Sequence, residues 1–191
     1  MYTLHIANKN YSSWSLRPWL LLRERQIPFA ERLHPFASGS NWQAFRHFSP
    51  TGRVPCLVDG GTTVWDSLAI AEYLAERHDG VWPTDRSARA FARCAAAEMH
   101  SGFAALRDLC TMNCGIRVRL RVLPAAVAAD VARIDELWTR GLATFGGPFL
   151  AGAAFTAADA FFAPVAFRWQ TYGFALGEAA TGYARRLLER P

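Results

Sequence analysis

The segment Tyr11-Ser12-Ser13-Trp14-Ser15-Leu16-Arg17-Pro18 places hydroxyls where a β-type run gives way to a helical one. A helix start leaves backbone N–H groups unpaired and carries partial positive charge, so it stabilises a phosphate, a carboxylate or a thiolate placed against it. A serine hydroxyl at the same point can donate to a thiolate, and favouring the charged form lowers a thiol's pKa. One serine serving only as an N-cap explains the segment equally well.

A second segment, Ser49-Pro50-Thr51-Gly52-Arg53-Val54-Pro55, leads into a strand. Proline at a strand's start cannot donate to the ladder, so it needs an edge, a turn or a cis bond. A cis Val54–Pro55 bond can turn the Val54 N–H and C=O outward to pair with a bound peptide; an ordinary strand entry is the plain alternative. A third, Trp65-Asp66-Ser67-Leu68, closes a strand and opens a helix, with Ser67 and the first free N–H groups forming a carboxylate site. Asp66 there caps the helix or faces an amine. A fourth, Thr156-Ala157-Ala158-Asp159, has capping-box spacing and reads as structural.

Cys110 and Cys114 stand four apart, which on a helix puts both on one face, but a metal pair needs two further ligands and only His100 is near. Cys110 and Cys114 therefore read as small buried hydrophobes rather than metal ligands, and all four cysteines, Cys56, Cys94, Cys110 and Cys114, as reduced thiols of a cytoplasmic protein.

The elements that must position these segments change character near residue 80. Before it, Thr3–Ala7 and Phe29–Leu33 read as strands around a helix from Leu16 to Gln26. Val54–Val58 and Thr62–Trp65 flank Asp59-Gly60-Gly61 as a hairpin, and a helix follows from Ser67 to Arg77 with Leu68, Ala71, Leu74 and Ala75 inward. After a linker around Asp79–Pro83 no convincing strand remains. Apolar residues from Phe91 to Cys110 predict one long amphipathic helix, Ala125 to Phe145 another and Thr156 to Tyr172 a third.

Half of the 191 residues are apolar and 19% are charged, a globular balance. The uncharged stretch Gly141–Ala158 is broken by Gly146-Gly147-Pro148 and does not read as a membrane span. Net charge is +5, almost all from arginine, and its densest run, Arg117, Arg119 and Arg121, reads as solvated surface rather than a phosphate groove. No nucleic-acid or membrane partner is expected.

Taken in order, the four segments resemble the glutathione transferase family over essentially the whole chain. Ser12 to Arg17 is similar to the Ser-Ser-Cys-Ser-Trp-Arg motif of the zeta class, the maleylacetoacetate isomerases, with Trp14 in place of the cysteine. The resemblance implies an α/β plus all-α fold: a thioredoxin-like, glutathione-binding domain over residues 1–78, a linker at 79–85 and an all-helical bundle domain over 86–191. It implies that Ser12, with Ser13 beside it, activates glutathione as co-substrate. Val54, before a cis Pro55, pairs with the cysteinyl backbone; Asp66 and Ser67 hold the γ-glutamyl end; Arg53 reaches the glycyl carboxylate. Phe103, Leu106, Arg107, Trp169 and Tyr172 line the pocket of a small electrophile.

The implied protein is a cytoplasmic, homodimeric transferase of detoxification type. Alternatives are a glutathione-dependent isomerase of the maleylacetoacetate type and a non-catalytic interaction module of the same fold; a reductase needs a cysteine where Ser12 stands. Arg168 falls about a helical turn before the place of the isomerases' carboxylate-binding arginine, where Thr171 and Tyr172 stand. Relatives usually continue beyond the position of Pro191, so a chain truncated within its second-substrate wall is the expectation.

Overall fold

The computed structural model describes residues 1–190; Pro191, the last residue of the expected helical domain, lies outside them. The chain divides into two units, Met1–Val81 and the residues from Trp82 onward.

In the first unit, β1 (Tyr2–Ile6) buries Tyr2, Leu4 and Ile6 while Thr3 and His5 stay half-exposed, the period of a strand with one fully covered face. A parallel partner requires a crossover, supplied by helix α1 (Ser13–Glu24) before β2 (Phe29–Leu33). A short helix α2 (Trp42–Arg46) precedes β3 (Cys56–Asp59), which runs antiparallel to β1 and turns through Gly60-Gly61 into β4 (Thr62–Trp65). Gly60 has φ +55°, as that two-residue turn demands. Helix α3 (Ser67–Ala75) then packs against α1. The sheet order β2-β1-β3-β4 with this connectivity is thioredoxin-like.

Two details differ from the sequence reading. α1 stops at Glu24 and Gln26 takes φ +54°, because Ile27 must swing into the core. In α3 the buried face is Ile70, Ala71 and Leu74, while Leu68 and Ala75 are half-exposed.

The second unit is helical. The single helix predicted across Phe91–Cys110 is broken: α4 (Arg86–Ser101) ends at Gly102, Phe103 adopts a left-handed φ of +55°, and α5 (Ala104–Leu109) starts anew. The apolar spacing survives the break, since Met99, Phe103 and Leu106 are all buried. Cys110 and Cys114 consequently do not share a helical face; Cys110 ends α5 and Cys114 lies in an irregular segment running to Pro124.

Helix α6 (Ala125–Phe145) ends at Gly146, and α7 (Ala157–Tyr172) is buried along most of its length, as a central helix must be. A helix not anticipated from sequence, α8 (Glu178–Leu188), buries Ala180, Tyr183, Ala184 and Leu187 against α6 and α7. Trp138 of α6 meets the Tyr183 and Phe162 rings edge-on at 4.9 and 5.7 Å.

Asp159 fixes the start of α7. It closes the capping box with Thr156, and its fully buried carboxylate also accepts from the Leu150 N–H at 3.0 Å and the Tyr183 hydroxyl at 2.9 Å. Burial pushes its pKa up and those donors pull it back. Among the described residues no helix is long and apolar enough to cross a membrane.

Candidate functional site

Strand register brings the three loop segments of the first unit to one place. His5 pairs with Cys56 and Cys56 with Trp65, so these residues form one row at the end of the sheet. Immediately beyond that row β1 leads through Ala7 to the start of α1, β3 begins after Val54 and Pro55, and β4 passes through Asp66 into α3. Segments scattered over 56 positions, from Ser12 to Ser67, thus meet along one sheet edge.

Ser12 is the N-cap of α1. Its hydroxyl oxygen accepts the Ser15 N–H at 3.3 Å and donates to Ser15 Oγ at 2.9 Å, and Ser15 Oγ accepts in turn from the Ala7 N–H at 3.1 Å. This chain fastens the helix to the end of β1. Ser13, at the first helical position, is buried yet makes no hydrogen bond from its hydroxyl among the described residues. The two serines therefore differ: Ser12 is engaged in capping, whereas Ser13 offers its O–H at the positive end of the helix.

The Val54–Pro55 bond is cis, and the Val54 N–H and C=O make no hydrogen bond among the described residues. Such a pair of free backbone groups at a strand entry is a docking edge for an extended peptide. Gly52, two residues earlier, holds a φ of +63°, and a Cβ there would lie 2.6 Å from Trp42 Cδ1, so both its backbone and its surroundings call for glycine. Arg53 is exposed and forms no ion pair among the described residues.

Asp66 caps α3, its carboxylate accepting the Leu68 N–H at 2.8 Å, and holds a φ of +77° that is rare for a residue with a Cβ. Ser67 is buried, and its hydroxyl lies 3.5 Å from Arg17 Nη1, at the outer limit of a hydrogen bond.

Arg17 received no role from sequence. It is 1% exposed, and its guanidinium sits 4.3 Å from the centre of the Trp14 ring. The signal was a cation on the same helical face as Ser13, four residues on. His5 and His34 were also missed. They share a hydrogen bond of 2.9 Å at the same sheet end, and Phe48 stacks on both rings at 4.4 and 4.2 Å. Desolvation lowers both pKa values, and for His5 the neighbouring His34 and Arg32 lower it further.

The thiols are quiet. Burial pushes Cys56 up to about 11 and raises Cys110 and Cys114 as well. Among the described residues no three His, Cys, Asp or Glu side chains come together as a metal site would require.

The residues expected to line an electrophile pocket in the second unit differ in burial and in partners. Leu106 is fully buried in the core, and Arg107 donates to the Met99 and His100 carbonyls at the end of α4. Trp169 is half-buried, and Tyr172 donates its hydroxyl to the Thr111 carbonyl.

The first unit thus carries a thioredoxin-like sheet with two helix N-termini and a free strand entry at one edge, and a helical unit follows it. Residues 11–77 match the family described as "Glutathione S-transferase, N-terminal domain". The chain is 46% identical over 59 residues to dichloromethane dehalogenase of Methylorubrum extorquens, covering 30% of this chain and 20% of that protein. It is 31% identical over 127 residues to glutathione S-transferase theta-1 of Mus musculus, covering 61% and 52%. These alignments span a fifth to about half the length of the curated relatives. A glutathione transferase homologue from Burkholderia, solved with bound glutathione, matches at 25% identity with a TM-score of 0.72 over 100% of this chain and 92% of that one. Over residues 11–77 the chain thus matches the glutathione S-transferase N-terminal domain, and over its whole length it shares the fold of the glutathione-bound Burkholderia homologue.

Proposed function

We propose that this chain is a glutathione transferase that binds glutathione at the sheet edge of its first unit and presents the sulfur, as a thiolate, to the start of α1. The observation that carries this reading is the free Val54 backbone pair lying at the same edge as the Ser12–Ser13 and Asp66–Ser67 helix starts. The glutathione-bound Burkholderia homologue supports the ligand, and the dehalogenase and theta-1 relatives support transfer chemistry on an electrophile.

In this reading Val54 exchanges backbone hydrogen bonds with the cysteinyl residue, and Asp66 with Ser67 holds the γ-glutamyl amine and carboxylate. Arg53 meets the glycyl carboxylate. A free thiol has a pKa near ~8.5 and is only a few per cent ionised at neutral pH. A drop of about two units, worth roughly 2.7 kcal/mol, makes it mostly thiolate. A charge-assisted hydroxyl donor contributes about 1.5–3 kcal/mol and the helix terminus roughly 0.3–1 kcal/mol, so together they suffice. The sulfur then attacks an electrophilic carbon: a C–S bond forms, the leaving group departs with its electron pair, and the thiol proton has already gone to solvent.

Ser13 is the better placed donor to the sulfur and Ser12 the residue that fixes the helix start. Turnover of an aryl or alkyl halide by Ser12→Ala and Ser13→Ala tests the assignment; wild-type rates in both variants would defeat a serine mechanism. Retention on immobilised glutathione separates the transferase from a non-catalytic module, which is not retained. We further place the protein in the cytoplasm as a homodimer acting in detoxification. A light-scattering mass of twice the 21.2 kDa chain is expected.

A further inference from the structure

The irregular segment between α5 and α6 carries a charge pattern that glutathione chemistry does not use. Residues 109–129 contain no carboxylate, yet Arg117, Arg119 and Arg121 fall among them, all exposed. Burial alternates along this strip: the three arginines face solvent while Val118 and Leu120 between them are half-buried. That is the period of an extended chain, in which alternate Cα atoms stand roughly 6.6 Å apart. Arg117 donates to the Cys114 and Ile116 carbonyls, and none of the three forms an ion pair among the described residues.

The strip is held, not loose. The Val118 N–H donates to the Thr171 carbonyl at 2.7 Å, Thr171 Oγ1 to the Asn113 carbonyl at 2.7 Å, and Arg168 Nε to the Cys110 carbonyl at 2.9 Å. Around the arginines stand aliphatic side chains in water: Val122 is 79% exposed, Leu109 60%, Ile116 47% and Leu123 37%.

We infer that this strip docks the protein on an anionic phospholipid surface. Arginines with no counter-charge beside exposed aliphatic residues match a negatively charged headgroup layer over hydrocarbon. A single-stranded nucleic acid would call for aromatic platforms between the cations, and residues 109–124 hold no aromatic side chain. The half-burial of Val118 and Leu120 leaves the three arginines as the exposed positions of the strip.

The test is co-sedimentation of the full chain with phosphatidylcholine vesicles, with and without about one-quarter phosphatidylglycerol. Each arginine at such a surface is worth about a fivefold change in partitioning. The expected result is binding to the anionic vesicles only, weakened by salt as screening shortens. The triple variant Arg117→Gln, Arg119→Gln, Arg121→Gln should reduce it at least about tenfold. Val122→Ser should weaken it severalfold, a loss that pure charge attraction does not produce. Thermal midpoint and retention on immobilised glutathione serve as folding controls and stay at wild-type values. Equal binding to neutral and anionic vesicles, unchanged binding by the triple variant, or tighter binding to polyuridylate than to vesicles overturns the inference.

Discussion

Ser12 and Ser13 are neighbours with different duties, and substitution separates them. Ser12→Ala removes a cap that also links α1 to Ala7 through Ser15, so it should cost about 1 kcal/mol. For a chain of this size that is a fall of about 2–4 °C in thermal midpoint, measured by calorimetry. Ser13→Ala breaks no side-chain hydrogen bond among the described residues; its midpoint should hold while turnover falls about ten- to a hundredfold, the worth of a donor to an anion. Asp159 is a residue of the opposite kind, wholly structural. Asp159→Ala leaves the Leu150 and Thr156 N–H groups and the Tyr183 hydroxyl buried without their acceptor, at a cost of about 4 kcal/mol in urea unfolding. That capping box was legible because its signal is local, four residues long and tied to a chemistry that tolerates few side chains. Arg17 was not legible in the same way. Its burial depends on the Trp14 ring beside it and on Ser67, fifty positions away, and no local pattern announces that meeting.

At the scale of elements, the loop that presents Val54 is braced by close packing. Gly52→Ala forces a Cβ into the Trp42 ring at a left-handed φ, a cost of about 1–2 kcal/mol for the backbone alone. Retention on immobilised glutathione should weaken with it. The β1–β2 end holds the paired His5 and His34, which burial keeps neutral. Their folded pKa values lie below the unfolded value near ~6.5, so their contribution is complete above that pH. It is lost as pH falls through the folded values, since the unfolded chain then binds more protons. Melting from neutral pH to about pH 5 should show this acid loss in the wild type and a smaller one in His34→Gln. Strands, hairpin and α1 were readable from alternation and turn residues. The break at Gly102–Phe103 was not, because the buried series Met99, Phe103 and Leu106 keeps a helical spacing across it. Helix α2 was missed because five residues are too short to show a helical period, and α8 because Gly177 and Gly182 weaken its helical signal.

Across the whole molecule, chemistry and scaffolding are divided between the units. The first holds the strand entry and both helix starts, and its sheet register decides that they meet. The second devotes its central helix to packing, with Asp159 as its anchor. Composition alone announced a change of texture near residue 80, because strand-forming alternation stops there. The arginine run was visible in the sequence but read as plain solvated surface with no membrane partner, because the half-burial of Val118 and Leu120 between the exposed cations shows only in the folded chain.

The burial of the protein's own sulfurs has a consequence for survival among reactive compounds. A thiol held near a pKa of about 11, as at Cys56, is ionised in only about one molecule in ten thousand at neutral pH. Cys110 and Cys114 are pushed the same way, which leaves Cys94, exposed on α4, as the thiol open to solvent. In the proposed reading, a glutathione thiolate at the start of α1 reacts with an alkylating agent ahead of these buried thiols. Intact-mass spectrometry after brief iodoacetamide treatment should accordingly find a single adduct, at Cys94.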